Sequence, residues 1–159
     1  MRTRRLRRGL RELTGPYAGP VSHPRRFDPD DPYLERLRRL CLALPEAAEK
    51  VAHGRPTFHT VKVFAYYGGS VKGDHGSDRY GCSVLFVPDP DERPALLDDE
   101  RVFEPAYLGP SGWLGLDFRP AGSVEAVDWA EVGELLDASY RLTAPKRLVA
   151  ALDARGDRG

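Results

Sequence analysis

The order of segments along this chain predicts an α+β fold, a mainly antiparallel sheet with helices packed on one face. Three observations carry that expectation. Apolar residues recur at helical spacing in 31–44 and again in 128–153. Between those blocks, β-branched and aromatic residues gather in short runs punctuated by Gly and Pro. The runs follow one another with only one short helix between them, not the alternation of strands and helices that a parallel sheet needs.

The first helix opens at Asp31-Pro32, an acidic cap followed by proline at the first helical position. Leu34, Leu37, Leu40, Cys41 and Leu44 form its buried stripe, and Pro45 stops it. Val51–His53, Thr57–Val61 and Val63–Tyr67 read as strands, and residues 68–78, rich in Gly, Ser and Asp, as a hairpin loop. Tyr80–Val87 is nearly all apolar and reads as a central strand. Asp89–Asp99 predicts a short helix whose first turn tolerates Pro90 and Pro94. Val102–Ala106 and Trp113–Phe118 predict two strands across a Gly109–Gly112 turn, with Leu114, Leu116 and Phe118 packing and Trp113, Gly115 and Asp117 accessible. Asp128 caps the longest helix, with Glu131 placed for a capping box and Trp129, Val132, Leu135, Leu136 and Tyr140 as its stripe. Thr143–Asp153 is the last helix, and 154–159 is expected to fray.

The chain has 159 residues, the size of one domain, and no apolar run approaches the ~18 residues that span a bilayer. Its net charge of zero hides a segregation. Residues 1–26 hold eight arginines against one acid, Glu12, a net of +7, so the remainder carries −7. Residues 1–29 therefore read as a basic, Pro/Gly-rich arm too poor in apolar surface to order itself, ahead of a domain spanning 30–153. A net-acidic body is not the usual footprint of a protein that neutralises phosphates. Cys41 and Cys82 lie in apolar contexts and read as small buried hydrophobes in a reducing, cytoplasmic setting.

Residue chemistry offers no catalytic constellation, and a non-enzymatic protein without cofactor or metal is expected. His53 and His59 lie six apart, outside any metal-binding spacing, and Ser111 and Ser139 lie outside a Gly-x-Ser-x-Gly elbow. Asp74, His75 and Asp78 fit turn chemistry, and the acids between Asp89 and Glu100 fit a solvated helix face. What remains is a binding surface. Arg55, Thr57, His59 and Lys62 cluster on one hairpin, Lys146 and Arg147 begin the last helix, and Tyr107 and Trp113 flank the second hairpin. Cations of this kind contact phosphates, and exposed aromatics stack on bases. The alternative use of the same face, around Trp113, Thr57 and Tyr107, is a small-molecule or protein-interaction site.

Three stretches sharpen the expectation: Gly54-Arg55-Pro56-Thr57-Phe58, then Gly112-Trp113, then Ser139-Tyr140 leading into Ala144-Pro145-Lys146-Arg147-Leu148. In this order they resemble the MmcQ/YjbR family, small bacterial proteins described as DNA-binding, over roughly residues 30 to 153. The resemblance implies a CyaY-like two-layer sandwich and a double-wing arrangement in which two hairpins project toward DNA. Val61 stands where the family places a glycine before the lysine. The shared frataxin-like fold implies no iron site, because Glu35 on the first helix is surrounded by Arg36, Arg38 and Arg39. A monomer with DNA as its partner, and no membrane or metal, is the resulting expectation.

Overall fold

Asp31 opens the first helix through its side chain, whose Oδ1 accepts a hydrogen bond from Tyr33 N at 2.9 Å. In the computed structural model, which describes residues 26–158, this helix is α1 (Pro32–Leu42). Of the arm predicted for 1–29, residues 1–25 lie outside the described range. Leu34, Leu37 and Cys41 bury the inner face of α1. On its flank, Arg38 donates to both Glu49 oxygens at 2.7 and 3.1 Å, tying the helix to the first strand.

Six strands follow: β1 (Ala48–Ala52), β2 (Arg55–His59), β3 (Val63–Tyr67), β4 (Ser83–Phe86), β5 (Val102–Phe103) and β6 (Leu114–Asp117). They form one sheet in the order β1-β2-β3-β4-β6-β5, antiparallel throughout. The short helix α2 (Arg93–Leu97) precedes β5. Two long helices, α3 (Trp129–Thr143) and α4 (Lys146–Arg158), close the chain. This is the α+β sandwich expected, with helices packed against one side of an open antiparallel sheet.

Several boundaries move for local reasons. β1 begins earlier than Val51, because a two-residue turn at His53-Gly54, both at positive φ, sets the β1–β2 register back to Ala48↔His59. β2 ends at His59 rather than Val61, since Thr60 N bonds Lys62 O and closes the next turn. The strand expected from Tyr80 starts at Ser83, behind a turn in which Gly81 N bonds Asp78 O. β5 stops at Phe103, where Ala106 N leaves the ladder for Ser70 O. α2 starts only at Arg93, because Asp89 Oδ1 takes Asp91 N in a turn of its own. α4 runs past Asp153 to Arg158, with Arg155 donating to Ala43 O (2.6 Å) and Arg141 to Asp153 (2.7 Å).

Cross-strand partners share a face, so the register sorts the side chains. Phe58, Ala65, Phe86 and Leu114 line one row, and Tyr67, Val84 and Leu116 another; all are buried under the helices. Phe64 joins them because the register shifts at Phe58/His59. Its ring meets Tyr140 of α3 edge-on at 5.4 Å. Ser139 rivets α3 to the sheet: its hydroxyl donates to Phe64 O (2.7 Å) and accepts from Val87 N (2.9 Å). Asp128 caps α3 through Glu131 N at 3.0 Å, while the Glu131 carboxylate turns to Arg101.

The opposite, outer face carries Arg55, Thr57, His59, Tyr66, Leu85, Gly115 and Phe103. Half of it is roofed by its own connections. The Phe103 ring lies flat on Gly115, and Tyr80 stacks on Phe103 at 4.0 Å and 19°. Gly69 rests on Leu85, with Gly69 N bonded to Tyr80 O. The expected accessible row Trp113, Gly115, Asp117 is thus corrected at Gly115, which is buried because residues 68–82 fold back over β4, β6 and β5. The β1–β2 half keeps Lys50 exposed and Arg55 and His59 half-exposed.

Candidate functional site

Arg55 heads β2, and its guanidinium lies against Gly68 so closely that a Cβ there would sit 2.4 Å from Nη1. Gly68 holds a φ of +84°, which favours glycine, and it leaves room for the guanidinium against its backbone. Burial, followed by the nearby Arg26 charge, pushes the Arg55 guanidinium below its ordinary range. Arg26 is fixed beside it by two bonds, its N–H to Gly54 O (2.9 Å) and its Nη2 to His75 O (3.1 Å). Neither arginine forms an ion pair with a carboxylate among the described residues.

Aromatic rings continue the arrangement. The His75 ring stacks on Tyr107 at 5.2 Å and 30°, and Tyr107 is 83% exposed. Trp113 is half-buried, edge-on to Tyr66 at 5.4 Å. Tyr107 and Trp113 bracket a single 3-10 turn at Gly109–Ser111, which Gly112 ends at φ +97°.

The remaining residues singled out from sequence go elsewhere. Thr57 is fully buried, and its hydroxyl donates to Lys50 O (2.9 Å), so it serves the sheet. His59 donates from Nδ1 to Thr60 O (2.8 Å). Lys62 is exposed in the β2–β3 turn beside Val61, which is 77% exposed. That turn follows the end of β2 opposite Arg55, four ~3.3 Å steps along the strand. Lys146 and Arg147 are exposed on the helix layer. Arg147 is bidentate to Glu46 at 2.8 and 3.1 Å, and that pairing holds the Glu46 carboxyl below its usual range. Arg55, Lys62, Lys146 and Arg147 therefore do not gather. The structure instead joins Arg55 to Arg26, His75 and Tyr107, a set that comes from a strand start, the chain ahead of α1 and two loops. No periodicity or motif marks such a set.

Other titratable groups are structural. Tyr67 donates its hydroxyl to Asp31, and burial pushes the phenol far above its ordinary value. Burial likewise pushes the neighbouring Cys82 thiol up to about 11, which keeps it protonated and unreactive. Cys41 and Cys82 are both free and buried. A cavity of about 220 Å³ opens between β6 and the start of α3, lined by Leu116, Asp117, Asp128 and Val132 among others. Its one cation, Arg101, is already saturated by Asp99 (2.6 Å) and Glu131 (2.9 Å). At this size it falls short of the ~300 Å³ at which small-molecule pockets begin. No helix among the described residues is long and apolar enough to cross a membrane.

No curated protein and no solved structure matches the chain. The sequence profile of the YjbR family matches residues 42–142, more than half of the chain. The matched span runs from the end of α1 to the end of α3 and takes in Gly54–Phe58, Gly112-Trp113 and Ser139-Tyr140; Ala144–Leu148 falls beyond it. The chain belongs to the YjbR family.

Proposed function

We propose that this chain is a non-enzymatic, cytoplasmic DNA-binding protein that grips the phosphate backbone weakly through Arg26 and Arg55, with Tyr107 beside them and Trp113 as a further ring. The observation that supports this reading is the Arg26–Arg55 juxtaposition: Arg26 N bonds Gly54 O next to half-buried Arg55, the two charges oppose each other, and no carboxylate is paired to either among the described residues. Like charges brought close raise the energy of the empty site, and an anion bridging them relieves it. Exposed Tyr107, stacked on His75, suits stacking or a groove wedge beside the pair, and half-exposed Trp113 ahead of β6 offers a second ring. The family resemblance points the same way, although the pair sits at the end of the sheet rather than on the β2–β3 wing. Two buried thiols suit a reducing compartment.

The test is fluorescence anisotropy of a labelled duplex titrated with the full chain at low and moderate salt. Binding at low salt that weakens steeply with salt, and that Arg26→Gln/Arg55→Gln reduces while Lys62→Gln does not, supports the reading. Absence of binding at low salt removes it.

A further inference from the structure

Two arginines unused so far share the end of the sheet with Arg26 and Arg55. The end is built where β2 starts, β3 finishes, β4 starts and β6 finishes. Gly68 N bonds Ser83 O, and Phe118 N bonds Cys82 O, so the three strand ends β3, β4 and β6 lie side by side. The Gly68 position touching Arg55 Nη1 is also 3.0 Å from Gly81 O, and Gly81 closes the turn that carries Arg79. Arg119, just after β6, reaches back to donate Nη1 to Arg79 O at 3.0 Å. The guanidinium of Arg79 lies over the Tyr80 ring at 4.9 Å, on top of the Tyr80–Phe103 stack. Both residues are exposed, and neither forms an ion pair among the described residues.

We infer that Arg79 and Arg119 form a second phosphate-binding pair, so that one DNA strand crosses this end of the sheet from Arg26/Arg55 to Arg79/Arg119. The inference rests on the DNA-binding reading above and extends it. From β2 to β6 there are three inter-strand gaps of ~4.8 Å, about 14 Å in all. With the duplex axis along that direction, at 3.4 Å of axial rise per nucleotide, the distance spans about four nucleotide steps of one strand. Each arginine has donors to spare: Arg119 commits one N–H of five, and Arg79 is held by stacking rather than by bonds. The carboxylates at this end are held in place by neutral donors. Asp117 Oδ1 accepts Arg119 N at 3.1 Å, and Asp31 accepts from Tyr33 N and the Tyr67 hydroxyl. Asp31, Asp117 and Asp78, the last exposed beside Arg79, are negative charges that the four arginines outweigh.

The experiment is the salt dependence of duplex binding between about 50 and 200 mM salt, using the full chain throughout. Each phosphate contact contributes about 0.9 to the log–log slope, so Arg79→Gln/Arg119→Gln is expected to flatten it by about 1.8. The variant then loses about 12-fold less affinity than the parent over that fourfold change in salt. Arg79→Lys/Arg119→Lys retains both charges and is expected to retain the slope. Lys146→Gln, on the helix layer, is expected to leave it unchanged. An unchanged slope in the Gln pair overturns this inference, while a flattened slope in Arg26→Gln/Arg55→Gln alone leaves the DNA-binding reading standing. Equal flattening by Lys146→Gln also overturns it, because bulk charge then accounts for the effect. Absence of binding by the parent overturns both.

Discussion

Replacing Gly115 by alanine tests the roof over the outer face. A methyl there would approach the Phe103 ring to 2.3 Å at Cζ and 2.6–2.7 Å at the two Cε atoms, closer than carbon atoms ever settle. The ring cannot lift away freely, since Tyr80 covers it at 4.0 Å and Phe103 is itself buried. Overpacking of this kind costs about 1–3 kcal/mol, and the rigid stack places this site near the top of that range. The lower entropy of an unfolded alanine chain returns about 0.4–1 kcal/mol. The expected net loss is about 2 kcal/mol, or about 4–8 °C in Tm for a domain of this size. Urea and thermal unfolding followed by far-UV circular dichroism measure it. Phe103→Leu in the same background should recover most of the loss, giving a coupling of about 2 kcal/mol because the methyl fills space the ring vacates. A stable Gly115→Ala protein, or strictly additive effects of the two substitutions, would refute the stacked roof.

Ser139→Ala leaves Phe64 O and Val87 N without their buried partner and is expected to cost about 2–4 kcal/mol in urea unfolding; a loss under about 1 kcal/mol contradicts the bridging role. Tyr67→Phe removes the donor to Asp31 and is expected to cost about 1.5–3 kcal/mol, and tyrosinate absorbance should lose no native-state step, because this phenol stays protonated until the protein unfolds. Asp99 is held below its ordinary value chiefly by the Arg101 hydrogen bond, so its contribution is present above an unfolded pKa of about 3.9 and lost as pH falls through the folded value. Asp99→Asn should therefore be less stable at neutral pH and converge with the parent in acid, read as Tm across about pH 7 to 2; parallel curves contradict this.

The fold was readable where local chemistry decides it. Asp31-Pro32 and Asp128 open their helices where the capping chemistry places them, and Val63–Tyr67 is a strand from end to end. Strand ends were less readable, because turns such as Asp78–Gly81 compete for the same backbone groups. The candidate site was largely hidden. Arg55 was visible, but its neighbour Arg26 belonged by composition to a basic arm, and Arg79 and Arg119 stood alone in loops. Arg147 reads as a free cation in sequence, yet Glu46, 101 residues away, pairs with it. Charge placement of this kind depends on long-range pairing, which no window of sequence contains.

Ser139 and Tyr140 have a consequence for motion. Adjacent on α3, one hydroxyl spans the backbones of Phe64 and Val87, and the other donates to Pro45 O at 2.6 Å. Sliding α3 by even one turn would break all three bonds inside a dry interior, where nothing replaces them. The layers are therefore held in one alignment, and any rearrangement that slides α3 over the sheet carries the full cost of breaking these bonds.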